Sequence, residues 1–141
     1  MKNTSKRGMP HFILVDDDYF SLQLTSKIIR NFSWRAAITT FSDATAAIDY
    51  LMSADLWAEG AETVVFTDLH MPEVDGFDLL DRLEGLFTGL KDGLHVFVLS
   101  AEATREERQK VFSYNYVIGF LDKPLTEDKL KQVIECVQCP L

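Results

Sequence analysis

The sequence predicts an α/β fold, a parallel β-sheet covered by helices on both faces. Three observations carry this reading. Short apolar runs rich in β-forming residues recur along the chain, the segments between them have helical apolar spacing, and the runs are apolar at nearly every position. A strand with one wet face alternates in polarity, whereas a strand apolar throughout is buried on both sides, as in a sheet built from right-handed βαβ crossovers. Five strands and five helices are expected.

The first strand is expected at "HFILV", residues 11–15, and it stops at Asp16-Asp17-Asp18. The helix that follows is read from Phe20, Leu24, Ile28 and Phe32, with Asp18 as its N-cap, because an Asp there accepts orphan N–H groups and suits the positive end of the dipole. "AAITTF", 36–41, is the second strand, and Ala44, Ala47, Ile48 and Leu51 form the stripe of the second helix. "TVVFT", 63–67, is the third, ending at Asp68. Its helix carries Phe77, Leu80, Leu83 and Phe87 and is preceded by Asp75-Gly76, where Gly76 tolerates a turn conformation.

"HVFVLS", 95–100, is the fourth strand and ends at Ser100. The helix after it offers only Val111 and Phe112 as apolar anchors and reads as a solvated surface helix, although Thr104 and Glu107 have the spacing of a capping box. "VIGFL", 117–121, runs into Lys123-Pro124, and the last helix buries Leu130, Val133, Ile134 and Val137.

Composition bounds the function. With 141 residues and 47% hydrophobic content, the chain fits one domain that buries roughly two-thirds of its unfolded surface. A net charge of −8 and a pI near 4.8 argue against a nucleic-acid surface, since no basic stripe is present to displace phosphate counterions. No apolar run has the length of a membrane span, and "MKNTSKRGMP" is not followed by a signal-peptide core, so a cytoplasmic protein is expected. Cys136 and Cys139, in "CVQC", read as helix-end thiols of a reducing compartment, because a redox pair would sit between an early strand and its helix. Without repeats or linkers, residues 1–10 are expected to be a flexible segment and 11–141 a single domain.

A doubly wound sheet concentrates function beyond the carboxyl ends of its strands. The residues found there are Asp16, Asp17, Asp18, Asp68, Ser100 and Lys123. Alone, such an Asp is usually a cap or turn former and such a Lys a surface charge; together on one edge they read as a site. Carboxylates about 4 Å apart repel by roughly 4 kcal/mol per pair at an effective dielectric near 20, so the cluster requires cations to offset it. The ammonium of Lys123 is one, and a hard divalent cation with a preference for oxygen is the other.

"ILVDDD", "VVFTDLHMPEVDGFDLL", "VFVLSA" and "GFLDKPL", in this order and at these strand ends, resemble the response-regulator receiver domain of two-component signalling, over about His11 to Val137. The resemblance implies a flavodoxin-like (CheY-like) sheet of order 2-1-3-4-5. It also implies that Asp68 is a phosphoacceptor that takes a phosphoryl group from the phosphohistidine of a histidine kinase or histidine phosphotransfer protein. Mg²⁺ would be the cofactor, ligated directly by Asp17, largely through water by Asp16, and also by Asp68 and the backbone carbonyl of His70. Lys123 and Ser100 would act on the phosphoryl group, Ser100 and Phe120 would form the switch, and Pro124 would follow a cis bond that aims Lys123 inward. The His70 imidazole is not expected on Mg²⁺, which disfavours nitrogen; it would shield the phosphoryl group or admit water.

Such a chain catalyses only its own phosphorylation and dephosphorylation. With no output domain in view, its signal would leave through a downstream protein, at the surface of the fourth helix, fifth strand and fifth helix. Coupling is expected to run from Asp68 through Ser100 and Phe120 to the surface around Arg105 to Tyr116. The Met1 start and short C-terminal end favour a stand-alone regulator over a receiver cut from a hybrid kinase. Two readings from other classes compete. A haloacid-dehalogenase-like phosphatase would use Asp16 and Asp18 as its Asp-x-Asp, but it has Thr or Val where this chain has Phe20, and it leaves "DLHMPEVDG" unexplained. A pseudo-receiver would keep the fold as an interaction module without phosphorylation, although here every acceptor, metal, hydroxyl and lysine position is filled.

Overall fold

In the computed structural model, residues 8–53, 62–88 and 93–138 are described. The elements are β1 (His11–Val15), α1 (Tyr19–Phe32), β2 (Ile38–Phe41), α2 (Ala44–Leu51), β3 (Thr63–Thr67), α3 (Gly76–Thr88), β4 (Leu94–Ser100), α4 (Arg105–Val111), β5 (Val117–Asp122) and α5 (Glu127–Gln138). The strands form one sheet in the order β2-β1-β3-β4-β5, and every neighbouring pair is parallel. This is the α/β architecture and strand order expected from the sequence, a flavodoxin-like doubly wound sheet.

The core lies in two layers, one on each face. Alternate residues of one strand feed opposite layers: Ile13 and Val15 pack with α2 and α3, and Phe12 and Leu14 pack with α1 and α5. β3 is buried at every position, which is why its sequence shows no alternation. The stripes of α2 (Ala44, Ala47, Ile48, Leu51) and α5 (Leu130, Val133, Ile134, Val137) are buried as expected. In α3, Leu79 joins Leu80 and Leu83 in the core, and the Phe87 side chain lies outside the described residues.

Helix α1 departs from expectation. Phe20 and Leu24 are exposed, and the buried face is Leu22, Thr25 and Ile29. A ladder of four-residue steps drifts around a helix that turns once every 3.6 residues, whereas alternating steps of three and four hold one face. The stripe read from the sequence thus starts outside, at Phe20 and Leu24, and drifts onto the packed face, where Ile28 and Phe32 are partly buried against the layer shared with α5. Asp18 does cap the helix, its carboxylate accepting the N–H groups of Phe20 and Ser21 at 3.0 and 3.3 Å.

The capping box of α4 is also present, between Thr104 and Glu107. Val111 is the buried residue of α4, while Phe112 caps its end and is exposed. β2 starts two residues later than read, at Ile38. Residues 1–7 of the expected flexible segment lie outside the described residues, and Met9 packs against the layer that holds α1 and α5. Cys136 is an exposed free thiol on α5; Cys139 lies outside the described residues. Among the described residues, no helix is long and apolar enough to cross a membrane.

Candidate functional site

The sheet carries its polar residues to one edge. Asp16 and Asp17 directly follow β1, Asp68 follows β3, Ser100 ends β4, and β5 leads into Lys123. Lys123 closes the cluster: its Nζ donates to Asp16 Oδ2 at 2.5 Å and to Asp68 Oδ2 at 2.9 Å. Partners 107 and 55 residues away in sequence meet on a side chain that is itself mostly buried. Burial opposes the charge on Lys123, but the hydrogen bonds to Asp16 and Asp68 outweigh it and hold the ammonium above its ordinary range. The Lys123–Pro124 bond is cis.

The remaining acceptor atoms are largely satisfied by backbone. Asp16 Oδ1 accepts the N–H of Asp18 at 3.0 Å, and Asp68 Oδ1 accepts those of Leu69 at 2.7 Å and His70 at 3.4 Å. Asp17, by contrast, is exposed. Oxygen atoms of Asp16, Asp17 and Asp68 lie within 4.8 Å of one another. Such an all-oxygen, acidic donor set fits a hard divalent cation, which takes one or two carboxylates and fills its other positions with water and phosphate oxygens. This trio can bind a metal.

Ser100 is wholly buried, and its hydroxyl is the one buried side-chain polar atom among the described residues that makes no hydrogen bond. Buried hydroxyls are normally paired, so this atom is an exception among the buried polar groups. Its own carbonyl accepts the Lys123 N–H at 3.0 Å, tying the two strand ends together. Phe120 is half-buried on β5.

Gly76 has another role than a turn conformation. Left-handed backbone occurs nearby at Glu73, with φ of 67°, and not at Gly76. A Cβ on Gly76 would lie 2.2 Å from the carbonyl oxygen of Asp68 and 2.7 Å from Leu69 Cα. Glycine is required because the start of α3 presses on the backbone that carries Asp68.

His70 also has a partner that no local pattern revealed. Its Nε2 meets both carboxylate oxygens of Glu107, at 3.1 and 2.9 Å, and Glu107 Oε1 also accepts the Thr104 N–H at 2.9 Å. The hydrogen bond to Glu107 raises the basicity of the imidazole. The Thr104 N–H first, and then His70, hold Glu107 below the usual carboxylate range. The capping box could be read from spacing, but its second use, joining α4 to the loop after Asp68, depends on helix placement.

Residues 12–135 match the response regulator receiver domain family. The chain belongs to that family. It is therefore a receiver domain of the kind used in two-component systems, where receivers interact with histidine kinases or phosphotransfer proteins. The chain is 26% identical over 123 residues to the probable methanogenesis regulatory protein FilR2 of Methanothrix harundinacea, covering 87% of this chain and 77% of that protein. It is 30% identical over 121 residues to the two-component response regulator ORR21 of Oryza sativa, covering 86% of this chain but only 16% of that protein. Among solved structures, a two-component response regulator from Cytophaga hutchinsonii superposes with a TM-score of 0.79 at 27% identity, covering 92% of this chain and 96% of that one. A response regulator receiver protein from Dyadobacter fermentans gives 0.80 at 26% identity, covering 92% and 98%.

Proposed function

We propose that this receiver takes a phosphoryl group from a phosphohistidine onto Asp68 and signals through a change at its α4–β5–α5 surface. The observation that carries the reading is the pairing of Asp16 and Asp68 on Lys123 beside a buried, unpartnered Ser100 hydroxyl. In the transfer, an Asp68 oxygen attacks phosphorus as the P–N bond to the donor imidazole breaks, and the imidazole leaves with that bonding pair. The product is an acyl phosphate. Lys123 would exchange its hydrogen bond with Asp68 for one to a phosphoryl oxygen, and the Ser100 hydroxyl would donate to another.

Asp17, Asp68 and the His70 carbonyl would hold Mg²⁺ directly, with Asp16 acting largely through water. The ion supplies neutralisation of the charge on the phosphoryl oxygens. The chain catalyses only its own phosphorylation and dephosphorylation, as a module of the cytoplasm. Exposed Phe20 and Leu24 line a groove with Lys123 and Pro124, which suits an approaching donor with an apolar face. Asp18 is engaged as a helix cap, which favours this scheme over one that uses Asp16 and Asp18 as a phosphatase pair.

Incubation with acetyl phosphate and Mg²⁺ tests the proposal. One phosphoryl mass, labile to hydroxylamine, is expected on the native chain and none on Asp68→Asn. A label that survives in Asp68→Asn and vanishes in Asp16→Asn would assign the chemistry to the phosphatase-like arrangement. A native chain that takes no label would be a pseudo-receiver.

A further inference from the structure

Helix α4 is fastened by polar and cationic side chains more than by apolar packing. Val111 is its buried residue, whereas Glu107 reaches His70, Lys110 Nζ lies 4.3 Å from the centre of the Phe77 ring, and Arg108 reaches β5. The Arg108 contact is double. Its guanidinium carbon lies 4.2 Å from the centre of the Phe120 ring, and its NH2 donates to Asp122 Oδ1 at 3.0 Å.

Phe120 and Asp122 are two apart on one strand and so share a face. One α4 side chain therefore spans the candidate switch ring and the end of β5. That end is tied to the site: Asp122 pairs in register with Ser100, and the next residue, Lys123, holds Asp16 and Asp68.

We infer that Arg108 is a positioning residue of the switch, a latch that holds the Phe120 ring in the place it occupies here and so opposes the change that follows modification of Asp68. The inference rests on the proposed role of Asp68 and Phe120. Any movement of the ring away from its present place gives up the stacking with the guanidinium, and Asp122 keeps the guanidinium at its post. Removal of the stacking lowers the cost of switching. A cation–π contact at a partly exposed site corresponds to about a two- to fivefold shift in population. Since a ligand that selects the switched state binds more tightly when that state is more populated, the latch is read out as ligand affinity.

The experiment measures the dissociation constant of the full chain for beryllofluoride in saturating Mg²⁺, by calorimetry or fluorine NMR. Hydrogen exchange of residues 105–122 is followed in parallel. Arg108→Ala, and Arg108→Gln as a variant that keeps the aliphatic stem, are expected to bind about two- to fivefold more tightly than the native chain. They are also expected to exchange faster across 105–122 before ligand is added. In a Phe120→Leu background, which has no ring to latch, the same Arg108 substitutions should leave the constant unchanged. A general loosening of α4 would instead act equally with and without the ring. Unchanged or weaker binding by both Arg108 variants, or an equal gain in the Phe120→Leu background, overturns the latch while leaving Asp68 as acceptor. A native chain that binds no beryllofluoride, or an Asp68→Asn chain that binds it as well as the native, overturns the functional reading and the latch with it.

Discussion

Replacing Lys123 by Met removes the ammonium that joins Asp16 and Asp68 while keeping a side chain of similar length. At 2.5 and 2.9 Å, each contact carries a gross attraction of about 6 kcal/mol at an effective dielectric near 20. Most of that is spent on desolvating the three groups, so the useful figure is the cost of leaving a buried pair broken, about 3–5 kcal/mol. The residual repulsion agrees: carboxylates whose oxygens lie within 4.8 Å of one another repel by about 3.5 kcal/mol per pair at that distance and the same dielectric. Lys123→Met should therefore lose about 3–5 kcal/mol of apo stability at pH 7.5 in urea unfolding, with little change in the slope. Lys123→Arg, which keeps the charge, should lose less. Mg²⁺ at about a thousandfold above its dissociation constant adds about 4 kcal/mol to any folded form that binds it, so the metal should largely restore the Met variant. An apo loss below about 1 kcal/mol would refute the reasoning, since it would mean that solvent already screens the carboxylates as it does at an open surface.

Gly76→Ala forces a Cβ against the backbone of Asp68 and Leu69, where no flexible side chain can yield, and should cost about 3 kcal/mol in urea melts. A loss within error would show that α3 can slide away freely. Asp17→Ala should weaken Mg²⁺ affinity by at least about tenfold, the lower bound for removing even an outer-shell partner, as measured by calorimetry. Its apo form should be as stable as the native chain or slightly more so, because an exposed like charge is gone; a marked apo loss would make Asp17 a structural residue. Burial lowers the His11 imidazole below its ordinary 6.5. The unfolded chain thus takes up this proton first, and the stability due to neutral His11 is present above pH 6.5 and lost as pH falls through it, by at most about 1.4 kcal/mol per pH unit. His11→Gln should flatten urea-derived stability between pH 7 and 5; His70, raised by Glu107, has the opposite sign and is present in both chains.

Much of the fold was legible because its signals are local. Continuous apolarity marks a strand buried on both faces, and β1 and β3 lie where "HFILV" and "TVVFT" end in aspartates. Caps are equally local, since Asp18 and Thr104 act on N–H groups within three residues of themselves. The candidate site could be assembled in outline because a parallel sheet sends every strand's carboxyl end to one edge, whatever the detailed packing.

What remained hidden depends on how rotated helices dock. The buried face of α1 is Leu22, Thr25 and Ile29, flanked by Ile28 and Phe32, because docking against the sheet and α5 fixed the rotation of the helix and left Phe20 and Leu24 outside. The need for glycine at position 76 comes from the approach of α3 to Asp68, a distance between elements and not a local backbone preference. The sequence by itself determined the sheet, its strand order through the family resemblance, and which polar residues gather at the strand ends. Only the tertiary structure decided that Lys123, expected to offset the carboxylate cluster, bonds Asp16 and Asp68 in particular, that Glu107 holds His70, and that Arg108 covers Phe120. Polarity repeats along a chain over two to four residues, whereas these partners are separated by 12 to 107 residues and meet only once helices and strands have taken their relative positions.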